Sequence, residues 1–291
     1  MMTNPFRLSS ISCQVSLAQI SNHDQINAFL KEDNLCHRHL DWVKPLEWLP
    51  ESKAFYLARI DNSLSGILSC ADEIPGIYWI RLFVASRSFS YSQILKNLLP
   101  SVICNLQGKS VKCLYSLAFE DWYKKLLVDT GFTSHSSVVV LKYSGSNTQS
   151  LNLNSDISIR PMEEKDIKSI TSIDNCSFEP IWQNSQKILS RAFQMADLST
   201  VAIHNNVLIG YQMSTKTHNS SHLARLAVLP AYQNRHIGKT LAKHMIDYFQ
   251  NQGINNITVN TQSDNASSLH IYKKLGFSPT GESFPVFNLP L

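Results

Sequence analysis

No Cys-x-x-Cys pair occurs in this 291-residue chain, and five of its six cysteines (Cys13, Cys36, Cys70, Cys104 and Cys113) fall in the first half, with Cys176 alone in the second. That scatter argues against a disulfide scaffold and against a cysteine-based zinc site, so reduced, buried thiols and no metal are the expectation. Dense Lys/Arg blocks and basic-aromatic alternation are also missing, and the net charge is a mild +4. Nucleic acid is therefore not an expected partner. No run reaches the roughly 18 apolar residues of a membrane span. The first 25 residues carry no continuous apolar stretch of the kind a secretory leader needs. A cytoplasmic protein without a membrane partner is expected. Charged residues are only 16% and hydrophobic ones 43%, enough to build a packed core.

What is present is a repeat. The polar, aperiodic stretch Ser144-Gly145-Ser146-Asn147-Thr148-Gln149-Ser150 reads as a linker and cuts the chain near its middle. On either side stands an apolar strand, an Asn-containing turn and a second strand with glycine: Ala54 to Asn62 and on to Gly66, then Thr200 to Asn206 and on to Gly210. The two glycines lie 144 residues apart, as do Arg81-Leu82-Phe83-Val84 and Arg225-Leu226-Ala227-Val228. Trp122-Tyr123-Lys124-Lys125 answers Ile271-Tyr272-Lys273-Lys274, and Gly131-Phe132 answers Gly276-Phe277. A tandem duplication of one α/β domain is the expectation, with residues 1–145 and 156–291 as the copies and 146–155 between them.

Periodicity in the second copy predicts a strand at 157–162, helices at 163–175 and 185–196, and strands near 199–204, 207–217 and 222–229. A helix follows at 238–251, with Gly253 past its end, then a strand at 257–261, a helix at 266–274 ended by Gly276, and a strand at about 284–289.

One stretch carries chemistry. The apolar run Leu226-Ala227-Val228-Leu229 ends at Pro230, turns through Ala231 to His236, and enters the helix at Ile237-Gly238. A helix N-terminus leaves backbone N–H groups unbonded and carries about half a positive charge, which suits an anion such as phosphate. Further on, Asn265 is followed seven residues later by Tyr272, then by Leu275-Gly276-Phe277. In that order and spacing these residues resemble the GNAT superfamily of N-acetyltransferases. The family's loop pattern, Gln/Arg-x-x-Gly-x-Gly/Ala, falls on Gln233 to Gly238, and His236 stands where the family prefers glycine. The resemblance covers roughly residues 157 to 287.

The resemblance implies two tandem GNAT-like domains, each a mixed, mostly antiparallel sheet flanked by helices. It implies acetyl-CoA as co-substrate and transfer of acetyl to a primary amine, small molecule or peptide, by direct attack. Backbone N–H groups of Leu226, Ala227 and Val228 would bind the acetyl and pantetheine groups. Gln233, Asn234, Arg235, His236, Ile237, Gly238 and Lys239 would cradle pyrophosphate, Asn265 would bond the pantetheine arm, and Tyr272 would protonate the leaving thiolate. For the base, Asn260 cannot serve; His222 and a water held by the backbone both stand as candidates. Phe178, Trp182 and Tyr211 are candidates for an acceptor pocket shaped by residues 177–184. In the first copy, Ala85 to Ser92 has no glycine and Ser116 to Asp121 no asparagine, so that copy is expected not to bind cofactor. A cofactor-sensing protein without turnover and a transferase for a longer acyl group stay open beside the acetyltransferase.

Overall fold

Both halves carry the same hairpin because both turns use residues that tolerate positive φ. In the computed structural model, which describes residues 12–39, 42–50, 54–109, 111–145 and 157–291, Asp61 and Asn62 have φ of 49° and 64°, and Asn205 and Asn206 have 48° and 63°. Two consecutive left-handed residues make the tight turn whose twist matches the flanking strands. The expected linker lies mostly outside the described residues.

The chain divides into two compact units. The first holds Met1–Asp72, Gly76–Thr133 and Phe287–Leu291; the second holds Glu73–Pro75 and Ser134–Val286. The first unit has β1 (Cys13–Leu17), α1 (His23–Lys31), β2 (Leu35–Arg38), β3 (Phe55–Ile60), β4 (Ser63–Ile74), β5 (Ile77–Ala85), α2 (Tyr91–Gln107), β6 (Cys113–Leu117) and α3 (Asp121–Asp129). Its strand order is β1-β3-β4-β5-β6, with β2 also paired to β5. Strand β7 (Thr133–Tyr143) then delivers all but its first residue to the second unit. There it pairs antiparallel with β12, Thr258 opposite Lys142 and Gln262 opposite Val138. In return, Phe287 joins the first unit's core, and Leu291 N–H bonds Lys112 O at 3.0 Å.

The second unit continues with β8 (Ile157–Pro161), α4 (Ile167–Ser177), α5 (Gln186–Met195), β9 (Leu198–His204), β10 (Val207–Lys216), β11 (Ser220–Val228), α6 (Ile237–Gln250), β12 (Asn256–Gln262), α7 (Ala266–Leu275) and β13 (Phe277–Pro290). Its order β7-β12-β11-β10-β9-β8 is a mixed sheet, antiparallel except for the β11–β12 pair. The predicted elements are present, with ends shifted by a few residues. The largest difference is β13, which starts at Phe277. Residues 278–283 are all exposed, so no apolar alternation marks them as strand.

Leu223, Ile257, Val259, Leu141 and Tyr143 pack against Ala242, Met245, Ile246 and Phe249 of α6 and Leu275 of α7, filling one face of the sheet. The other face meets α4 and α5.

The repeated glycines have a packing cause. A β-carbon at Gly66 would lie 2.2 Å from Ile94 Cγ2 of α2, and one at Gly210 would lie 3.0 Å from Ala227 O and 3.2 Å from Val228 Cγ2. Beside each glycine the strand carries one extra residue, Ser65 or Ile209. In both units that bulge residue's carbonyl takes the bond that closes the next strand: Ser86 N–H to Ser65 O at 2.9 Å, Leu229 N–H to Ile209 O at 2.8 Å.

Candidate active site

Strands β11 and β12 part in mid-course. Their parallel pairing runs from Ser220 opposite Asn256 to Leu223 opposite Val259 and stops, although β11 continues to Val228 and β12 to Gln262. The cause is local: β11 carries an extra residue, Ala224, where its register with β10 shifts between Met213 opposite Arg225 and Ser214 opposite Leu223. Beyond that bulge β11 stays on β10 and leaves β12, opening a wedge. Leu229 N–H points at β10, so alternation turns the backbone groups of Ala227 the same way and those of Leu226 and Val228 toward the wedge. Of the predicted trio, Leu226 and Val228 therefore face the wedge and Ala227 does not. Val228 O is already bonded, accepting from Ser177 Oγ and from Gln233 Nε2, both at 3.0 Å.

The open end of the wedge leads to the start of α6. Asn234 has φ of 61° and His236, the N-cap, 63°. These are conformations a glycine would adopt freely, and Asn and His are among the few side-chain-bearing residues that populate them. His236 thus takes a backbone path open to glycine, although it carries a β-carbon. The first recorded helical bond runs from Thr240 N–H to His236 O at 2.9 Å, so the N–H groups of Ile237, Gly238 and Lys239 precede the helical ladder. Gly238 lies between Val228 and Ile271; a β-carbon there would meet Ile271 Cδ1 at 3.5 Å and Val228 Cγ2 at 3.6 Å, ordinary contacts. The side chain of Gln233 is folded inward onto Val228 O, and the Arg235 guanidinium stands 5.2 Å over the Tyr232 ring.

Tyr272 belongs to the packed cluster that holds Leu223 and Val259, the last paired residues before the wedge opens. Its ring meets Phe277 edge-on at 5.7 Å, and no partner for its hydroxyl is recorded among the described residues. Burial pushes its phenol above the ordinary value, which keeps it protonated throughout the neutral range. Asn265 caps α7: its Oδ1 accepts from Ser268 N–H at 3.0 Å and its Nδ2 donates to Gln262 Oε1 at 3.3 Å. His222 sits one residue before the parting point, with Nδ1 2.9 Å from Thr258 Oγ1. Among the described residues no cluster of His, Cys, Asp and Glu could hold a metal, and no helix is long and apolar enough to cross a membrane.

Residues 167–277 match the model of the acetyltransferase (GNAT) family. These residues form a GNAT acetyltransferase domain. The chain is 26% identical over 74 residues to the [ribosomal protein bS18]-alanine N-acetyltransferase of Escherichia coli K12, a quarter of this chain and half of that protein. It is 28% identical over 89 residues to N-alpha-acetyltransferase 30 of Schizosaccharomyces pombe, 29% of this chain and 59% of that one. The chain thus spans about half the length of curated relatives it matches. Two solved structures share its fold across both halves. One is a tandem GNAT protein from the clavulanic acid biosynthesis pathway, with TM-score 0.63, 11% identity and 96% and 98% of the two chains covered. The other is a GCN5-related N-acetyltransferase from Anabaena variabilis, with TM-score 0.68, 11% identity and 95% and 72% covered.

The first unit has the counterpart of the GNAT domain's wedge, but filled. Its parallel pair β5–β6 also stops early, at Trp79 opposite Tyr115. Ser86 N–H bonds β4, while Arg81 O on the other edge of β5 accepts from His39 N–H at 2.9 Å. That edge is taken by β2, with Leu35 opposite Ala85 and Arg38 opposite Leu82. The loop that follows has no positive φ, and α2 is capped by its own Ser90 Oγ, which accepts from Gln93 N–H at 3.4 Å. Tyr123, the match of Tyr272, has its hydroxyl bonded to Ser116 Oγ at 2.9 Å.

Sequence reasoning missed a second feature of the GNAT domain. Asp174 is fully buried on α4, and three elements converge on it. Arg225 grips both carboxylate oxygens, Nε to Oδ2 at 2.7 Å and Nη2 to Oδ1 at 2.8 Å. Tyr211 donates to Oδ2 at 2.5 Å, and Asn184 N–H to Oδ1 at 2.9 Å. Burial works against the charge on Arg225, but the Asp174 carboxylate outweighs it and holds the guanidinium above its usual value. Tyr211 is therefore enclosed, not a pocket wall. The signal in the sequence was a carboxylate four residues after Ile170 on a stripe that also buries Ile167 and Ile173. A charge there needs a partner.

Proposed function

We propose that the protein is an acetyl-CoA-dependent N-acetyltransferase acting on a primary amine. The observation that carries this reading is the contrast between two wedges in one chain. The second is open and ends at a helix N-terminus held in a glycine-like path; the first is filled by β2 and ends at a self-capped helix. Cofactor binding is accordingly assigned to the second unit alone.

Acetyl-CoA supplies the activated thioester. Backbone N–H groups of Leu226 and Val228 would hold its acyl and pantetheine portion as a strand edge holds an extended chain, much as β5 holds β2. The N–H groups around Ile237 to Lys239 would take the pyrophosphate, with Arg235 and Lys239 adding charge. The amine nitrogen attacks the thioester carbonyl carbon, the carbon–sulfur bond breaks, and the sulfur takes a proton from Tyr272 Oη. The proton shed by the amine goes to His222, whose ring Thr258 orients, or to a water bonded to the backbone. The tyrosine is then reprotonated from solvent. The six cysteines form no disulfide among the described residues, which supports a cytoplasmic setting.

The relatives' names specify an alanine acceptor and an N-alpha position, which supports an alanine-initiating peptide as the first acceptor to try. Calorimetric titration with acetyl-CoA, followed by thiol release in the presence of that peptide and of a mixed amine panel, tests the reading. Tight binding with release supports it. Binding without release across the panel points to a sensor, and failure to bind removes the reading.

A further inference from the structure

The wall of the wedge opposite α6 is the stretch that follows α4, and it is tied to β11 beyond the bulge. Ser177 Oγ donates to Val228 O. Arg225 Nη2 donates to Trp182 O at 2.6 Å, and its guanidinium carbon lies 3.6 Å over the Phe178 ring. Gln183 Nε2 donates to Asn175 O and Phe178 O, both at 2.9 Å, folding the loop back on the helix end. Asp174 then takes Asn184 N–H at the loop's far end. Arg225 and Val228 both lie in the part of β11 that has left β12.

We infer that Asp174 and Arg225 are positioning residues for the acceptor, fastening residues 178–184 to the splayed part of β11 and so fixing the side from which the amine approaches. The inference rests on the acetyltransferase reading above for what the loop receives. A buried ion pair is weak evidence for stability, since apolar residues of like volume often serve as well. What apolar residues cannot supply is direction. The planar fork of Arg225 meets two carboxylate oxygens, a backbone carbonyl and an aromatic face at once, and a lysine cannot do this. The fork therefore sets the distance between the loop and the strand that holds the acyl group. A small misplacement there degrades reaction geometry out of proportion to its size.

The test uses the full-length protein in two variants, Arg225→Lys and the double change Asp174→Leu with Arg225→Met. The double variant removes both charges together and so leaves no orphaned ion if the lysine variant fails to fold. Acetyl-CoA affinity is read by calorimetry, steady-state constants with the alanine-initiating peptide, and hydrogen exchange by mass spectrometry. Expected in both variants is an acetyl-CoA affinity within about twofold of wild type, a peptide KM raised about tenfold or more, and a smaller fall in kcat. Exchange at 178–184 should rise while α6 keeps its protection. Unchanged KM and unchanged loop exchange overturn the assignment. Loss of acetyl-CoA binding with faster exchange throughout the unit also overturns it, because the pair is then a general strut. A wild type inactive on the peptide fails the functional reading instead; faster exchange confined to 178–184 would still support the positioning role, and unchanged exchange would remove it.

Discussion

His37 of β2 lies flat on Tyr123 of α3, with ring centroids 3.8 Å apart and planes 13° from parallel. The contact seals the first unit's wedge: the strand that fills it is pinned to the tyrosine that corresponds to Tyr272.

That seal carries an acid sensitivity. His37 Nε2 is buried with no bonding partner among the described residues. Burial, then the charges of His39 and Arg81, push the His37 pKa well below its ordinary 6.5. Below pH 6.5 the unfolded chain takes up a proton that the folded one refuses, so stability is full above that pH and falls as pH drops toward the folded-state value. One proton contributes a slope of at most about 1.4 kcal/mol per pH unit. His37→Phe, which keeps the stack, should flatten thermal stability between pH 6.5 and 5; an unchanged slope would clear His37 of the effect.

Tyr272→Phe removes only a hydroxyl with no partner among the described residues, so the melting temperature should hold within a few degrees. If the phenol protonates the leaving sulfur, kcat should fall about 10²-fold or more with acetyl-CoA affinity unchanged. Stopped-flow thiol release and calorimetry separate the two quantities, and full turnover in the variant would end the acid assignment.

Gly238→Ala meets only ordinary protein contacts at 3.5 and 3.6 Å, so the fold should tolerate it. If the N–H groups of Ile237 to Lys239 take the pyrophosphate as proposed, the added methyl should crowd it. A melting temperature equal to or above wild type with acetyl-CoA affinity weakened about tenfold (roughly 1.4 kcal/mol) is expected. Retained affinity would mean the phosphates sit elsewhere.

His236 tests backbone against side chain. His236→Gly should keep acetyl-CoA binding, because glycine adopts φ of 63° freely. His236→Ala should weaken it modestly, since alanine populates that left-handed conformation less readily than histidine. Equal loss in both variants would assign the imidazole a direct role instead.

Cutting the chain at the linker should fail. A fragment of residues 157–291 lacks β7, so β12 loses its antiparallel partner and the core loses Leu141 and Tyr143. Exposed strand edges of this kind aggregate. Expressed alone, the fragment is expected to be insoluble, while residues 134–291 should be recovered in greater yield; equal solubility of the two would show that β7 is dispensable.

Local chemistry was legible where one short stretch settles its own geometry. Asp61-Asn62 and Asn205-Asn206 announce their turns because few residues accept positive φ. The loop 233–238 announces a helix start. Contacts distant in sequence were not legible. Asp174 and Arg225 are 51 residues apart, and nothing near either names the other. Leu35–Arg38 is too short for a period to show.

By itself, the sequence determined the repeat, the paired hairpins, the helix that starts at Ile237 and the order of the elements, since backbone sterics and apolar period act within a few residues. Tertiary structure alone decided which wedge stays open, which unit receives β7, and which carboxylate holds Arg225. Those outcomes depend on strand edges and buried charges finding partners across long separations, and many pairings satisfy the same local pattern until the whole sheet selects one.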